Sequence, residues 1–166
     1  MREISREPQT HEFIIKALRE AGGELLSELE AIRARDAHRA PPGEWSFAQI
    51  AVHVRDNEQA ALDTVQCIVA RRNTRLPAPD VSATAMDAPA ASIDLDRCAY
   101  QYAQLRHLVL RELWSLMDAE WDRAGVHPYR GSLSVLQIAR ELHLHDLEHL
   151  WQVRSHREQL AVASGG

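Results

Sequence analysis

The sequence predicts an all-α protein: a four-helix bundle, up-down-down-up, with a long crossover between helices two and three. Three observations predict it. Four stretches carry apolar residues at alternating steps of three and four, the spacing of one helix face. No convincing strand lies between them. About twenty residues studded with proline separate the second stretch from the third, too long for a simple turn.

The first helix spans 9–35, with Ile14, Leu18, Ala21, Leu25, Leu29 and Ile32 as its stripe. Gly22-Gly23 in its middle costs roughly 1 kcal/mol per glycine relative to alanine. That cost points to a kink or a close helix contact. Pro41-Pro42-Gly43 breaks the chain, and Ser46 followed by Gln49 reads as a capping box. The second helix spans 47–72. Ile50, Val54, Ala61, Val65 and Ile68 face inward, and His53 sits beside that stripe near the helix start. Residues 73–92, with Pro77, Pro79 and Pro89, cannot form a regular helix. A connection of this length lets helices two and three run parallel.

The third helix spans 93–117, capped by Asp94 or Asp96. Cys98, Tyr102, Leu105, Val109, Leu113 and Leu116 face inward. A loop from Trp121 to Gly131 follows. The fourth helix begins at Ser132 or Ser134 and spans 132–160, led by Val135, Ile138 and Leu142. Residues 161–166 read as a frayed tail.

A length of 166 residues suits one domain, 1–166, with a proper core. Apolar content of 45% and charged content of 26% fit a soluble globular chain and exclude general disorder. A net charge of −5 argues against a nucleic-acid partner, which calls for a basic face. Arg71, Arg72 and Arg75 form the tight basic cluster and read as a solvated helix end. Cys67 and Cys98 lie outside any CxxC motif and read as reduced thiols, which suits a cytoplasmic location. The first residues lack the apolar core of a signal peptide, and no apolar run is long enough to span a bilayer, so no membrane partner is expected.

The chemistry centres on His145 and His149. Spacing i, i+4 puts both imidazoles on one helix face, about 6 Å apart along the axis, where they can share a metal ion. The pair carries little weight by itself; two histidines that bind nothing are the plain alternative. A third ligand must come from another helix, and His53 is the best candidate. Three neutral imidazoles suit zinc, nickel, copper or iron and leave a coordination position open.

Along the fourth helix, Leu142, His145, His149, Gln152 and His156 follow one line, while Leu144, Leu147 and Trp151 keep an adjacent face apolar for packing. Asp146 and Asp56 are placed to orient an imidazole from behind, or else face solvent. Glu141, one turn before His145, is a candidate fourth ligand or base, against a plain surface carboxylate. Gln152 and Trp151 are candidates to line the pocket. His156 is expected to be exposed. His143 is rotated away from the pair, and His11, His38, His107 and His127 belong to the surface. Trp45, Trp114 and Trp121 read as packing residues.

The combination resembles the DinB/YfiT-like family. The resemblance rests on the Trp45-Ser46 helix start followed by His53, and on His145-Asp146-Leu147-Glu148-His149-Leu150-Trp151-Gln152. It covers about 12–159. It implies one divalent metal on His53, His145 and His149, zinc or nickel foremost, with iron and manganese as further options. It also implies a homodimer. Activities in such a family include transfer of a low-molecular-weight thiol (bacillithiol, mycothiol or glutathione type) to an electrophilic small molecule, and hydrolysis. A divalent ion suits either, because it acidifies a water, to a pKa of about 7 in known cases, or a thiol. A non-catalytic metal- or ligand-binding stress protein is the rival class. No catalytic residue beyond the ligands is identifiable.

Overall fold

The computed structural model describes residues 7–70, 75–83 and 90–164. Arg71, Arg72 and Pro89 lie outside the described residues, as do the first six residues and the last two. Four long helices carry the structure: α1 (Glu7–Glu30), α2 (Phe47–Ala70), α3 (Leu95–Trp114) and α4 (Val135–Ser164). All six residues of the predicted α1 stripe are buried.

Side-chain contacts fix the directions. Arg55 of α2 reaches Cys98 and Gln101 of α3, and Glu58 reaches Arg106, so these two helices run parallel. Glu24 and Glu28 of α1 pair with Arg154 and Arg157 of α4, so these run parallel as well. Asn57 meets His145 while His53 meets His149, which makes α2 and α4 antiparallel. This is the up-down-down-up order, with α1 and α2 on one diagonal and α3 and α4 on the other.

Local signals place the helix starts. Ser46 and Gln49 exchange both bonds of a capping box at α2, at 2.9 and 3.2 Å. Asp94 caps α3 by accepting from the Arg97 amide at 3.0 Å. Ser134 and Gln137 form a second capping box at α4.

Four expectations need correction. α1 stops at Glu30, and a single 3-10 turn, Ala34–Asp36, follows. α3 ends at Trp114, and a one-turn helix, Asp118–Trp121, buries Trp121. The expected loop before α4 contains an antiparallel hairpin, β1 (Ala124–His127) with β2 (Gly131–Ser134), which delays the start of α4. It packs through the crossover: the Leu76 amide donates to the Val126 carbonyl at 2.9 Å. A Cβ at Gly125 would overlap a Leu76 methyl, so glycine lets the two segments pack this closely without moving Leu76. At the far end, residues 161–164 continue α4 rather than fraying.

The core falls into two apolar halves. One gathers Leu25, Leu29, Phe47, Ile50, Val54, Leu150 and Val153. The other gathers Ile14, Leu18, Leu62, Val65, Val109, Leu113 and Val135. Between them lies a charged layer. The guanidinium of Arg106 donates to both carboxylate oxygens of Glu58 at 2.7 Å, to Asp146 at 2.7 and 3.0 Å, and to the Leu18 carbonyl at 2.7 Å. One α3 side chain therefore bonds to all three other helices. Gly22 makes this possible, because a methyl group there would overlap the guanidinium. The glycine pair marks a close contact on its first member, while Gly23 faces open space.

Candidate metal centre and its cleft

The first turns of α2 deliver His53, and the middle of α4 delivers His145 and His149. Nε2 of His145 lies 2.8 Å from Nε2 of His53 and 3.1 Å from Nε2 of His149. Two nitrogens bound to one zinc at about 2.0–2.1 Å stand roughly 3 Å apart. These two spacings meet that requirement, and the ligand atoms of all three residues lie within 4.8 Å of one another. Among the described residues, these three histidines form the group able to hold a metal ion.

The other ring nitrogens carry the stronger argument. Nδ1 of His149 lies 2.8 Å from Oε1 of Gln152, and Nδ1 of His53 lies 3.4 Å from the Val81 carbonyl. Both partners are acceptors, so each ring holds its proton on Nδ1 and turns a bare Nε2 toward the centre. Nδ1 of His145 lies 3.2 Å from Nδ2 of Asn57, a donor, so this ring accepts at Nδ1 and carries its proton on Nε2. Only a turn of the Asn57 amide that brought Oδ1 to the ring would bare the Nε2 of His145 as well. Without that turn, the Nε2–H of His145 faces the bare Nε2 atoms of its two neighbours, and a cation held by all three would take the place of that proton.

Burial depresses all three histidines. In His145, burial first and then the neighbouring His149, His53 and Arg106 take the pKa down to about 3. Burial is also the leading cause in His53 and His149. Gln152, Glu148 and Asp146 pull His149 partly back. Neutral imidazoles are what metal ligation requires.

The triad opens into a cleft of about 700 Å³ between α4 and residues 43–45. Trp45 forms one wall, its ring 4.8 Å from that of His53 and stacked at 6.4 Å on that of His149. Trp151 and Gln152 line the cleft. A second cleft, about 330 Å³, lies beyond His145 and shares Asn57 and Val81 with the first.

Several expected roles are not met. Asp146 orients neither imidazole; it is buried, held by Arg106 and by the Tyr102 hydroxyl at 3.0 Å. The core line of α4 runs through Leu142, Asp146, Leu150 and Val153, which carries this carboxylate into the interior. The same geometry leaves Leu144, Leu147 and Trp151 exposed rather than packed. Asp56 pairs with Arg55 at 2.6 Å instead of with His53, whose Nδ1 is taken by Val81. Glu141 lines the second cleft but pairs with Arg130, away from the triad. His156 is 3% exposed, not solvated, and lines the cleft. His11 is not a plain surface residue either: it stacks on Trp121 at 4.5 Å.

Sequence reasoning missed Asn57, the Val81 carbonyl and the Arg106 layer. Asn57 lies one turn after His53, a spacing that puts it on the same face. No local signal identifies a backbone carbonyl in the crossover.

A family model described as the DinB superfamily matches residues 17–153. No curated protein matches the sequence. Among solved structures, the chain is similar to YfiT from Bacillus subtilis, described as a probable metal-dependent hydrolase with an unusual four-helix bundle topology. The TM-score is 0.83 at 15% identity, over 97% of this chain and 93% of that one. It is also similar to TT2238, described as a four-helix bundle protein, with TM-score 0.65 and 16% identity over 87% of this chain and 98% of that one. A third match is a mycothiol-dependent maleylpyruvate isomerase, with TM-score 0.68 and 10% identity over 88% of this chain and 60% of that one. At such identities the likeness is one of fold.

Proposed function

The chain belongs to the DinB superfamily, and from that premise we propose a metal-dependent enzyme that transfers a low-molecular-weight thiol to an electrophilic small molecule. His53, His145 and His149 would hold one divalent ion, zinc or nickel, which supplies Lewis-acid chemistry that favours the thiolate form of a thiol. The observation that carries the proposal is the convergence of three Nε2 atoms, two of them bare because an acceptor stands at Nδ1. Gln152 and Val81 lock two rings in place. Trp45 covers one side of the triad and limits water there. The cleft leaves room for a substrate beside the imidazoles.

Thiol transfer ranks above hydrolysis because two of the three carboxylates within three residues of a ligand are engaged elsewhere. Asp146 serves Arg106, and Asp56 serves Arg55. One observation favours hydrolysis as the second reading: Glu148 lines the cleft next to His149, where it could take a proton from water.

The test has two stages. Elemental analysis of untagged protein, compared with His53→Ala and His149→Ala, should give near-stoichiometric metal in the wild type and loss in both variants. The metal-loaded protein is then assayed for consumption of 1-chloro-2,4-dinitrobenzene with each of several small thiols. Turnover that requires both metal and thiol supports the proposal. Turnover of ester or amide substrates without thiol would favour hydrolysis. Metal without turnover would leave a binding protein.

A further inference from the structure

The cleft beside the triad has an uneven charge. Its ionisable lining, apart from histidines, is Glu44 and Glu148; no lysine or arginine lines it among the described residues. The two carboxylates stand on opposite banks, Glu44 on the segment before α2 and Glu148 on α4. Trp151, one turn beyond Glu148, is 70% exposed and presents its indole at the rim. Carboxylates together with a free indole face are the groups that recognise an organic cation.

His156 supplies an independent observation. It lies two turns beyond His149 on the same cleft, at 3% exposure, and its Nδ1 finds no hydrogen-bond partner. A buried N–H without an acceptor costs more than a buried lone pair, so the proton belongs on Nε2. That nitrogen lies 3.8 Å from the Glu44 carboxylate. A buried imidazole therefore stands beside a half-exposed glutamate at the cleft end.

We propose that the cleft selects thiols whose tail carries a primary ammonium group, recognised by Glu44 and Glu148 with the Trp151 indole. This rests on the thiol reading given above and names the class of thiol. Anionic tails are disfavoured by the same two carboxylates. His156 acts as a positioning residue through Glu44.

The experiment uses cobalt(II)-loaded protein and three small thiols that differ in tail charge: cysteamine, 2-mercaptoethanol and 3-mercaptopropionate. Sulfur-to-cobalt absorption reports binding. The thiols also differ in acidity, so each is compared with itself in wild type, Glu44→Gln and Glu148→Gln, after cobalt content has been matched. Removing either carboxylate should weaken cysteamine roughly fivefold, the scale of one partly exposed ion pair. It should leave 2-mercaptoethanol unchanged and strengthen 3-mercaptopropionate. His156→Phe should reproduce the Glu44→Gln pattern in weaker form. Equal weakening of all three thiols, or no change in any, would overturn the selectivity. Cobalt bound with no sulfur band for any thiol would overturn the thiol reading itself, and the ammonium class with it.

Discussion

Arg106 of α3 and Asp146 of α4 bond to each other across a diagonal of the bundle, through two contacts of 2.7 and 3.0 Å, both residues buried. Asp146 is the chain neighbour of His145. The charged layer that joins the helices therefore also fixes the backbone from which a triad member projects.

Truncating Arg106 would leave two carboxylates in the interior without their shared cation. Burial already pushes Glu58 above the usual carboxylate range against the pull of Arg106. Arg106→Ala should lose about 3–5 kcal/mol of stability, the usual effect of stripping one partner from a buried ion pair. Urea unfolding followed by circular dichroism measures it. A loss within that of a typical surface substitution would contradict the central role given to the guanidinium.

The glycine pair offers an internal control. Gly22→Ala pushes a methyl group against Arg106 and should cost about 1–3 kcal/mol by overpacking. Gly23→Ala meets nothing and should gain about 0.5–1 kcal/mol through helix propensity. Thermal melts of the two variants should move in opposite directions.

The pH dependence of the metal-free protein follows from His145. Its folded pKa, about 3, lies below the ordinary 6.5. Above pH 6.5 neither state binds the proton and stability is complete. As pH falls from 6.5 toward 3, the unfolded chain is protonated while the folded one is not, and stability drains away. Unfolding midpoints of chelator-treated protein between pH 7.5 and 4 should fall more steeply in wild type than in His145→Gln. Parallel slopes would remove His145 as the cause.

Gln152 touches no ion in the proposed centre, yet it sets the His149 tautomer at 2.8 Å. Gln152→Ala should weaken metal affinity about 10–100-fold, the scale of losing such an outer partner. Competition with a colorimetric chelator reads this directly. An unchanged affinity would mean that the ring holds its orientation by packing against Trp45 alone.

Much of the bundle was legible because it repeats. The α1 stripe, the capping box at Ser46 and the parallel α2–α3 pair follow from spacing, one hydroxyl and the length of the crossover. The triad was legible because two of its members share a helix turn and the third stands near a marked helix start. The hairpin was not, because four-residue strands are too short for periodicity and β1 depends on Leu76 from a distant segment. The charged layer left a trace that went unread. Glu58 lies four residues from Val54 and from Leu62, and Asp146 lies four from Leu142 and from Leu150. A charge on a core line is solvated only if the line is not a core. His156, three residues after buried Val153, carried the same trace.

The bond from His53 to the Val81 carbonyl ties a strap of chain between α2 and α3 to the centre of the molecule. Docking of that strap and loading of the ion are then two faces of one equilibrium. Whatever steadies residues 79–83 raises affinity for the ion, and the ion must steady them by the same factor. A proteolytic nick in the crossover should thus become slower as metal is added, and a proline-stiffened crossover should hold its metal longer. The loop is in this sense a ligand of the metal site at one remove.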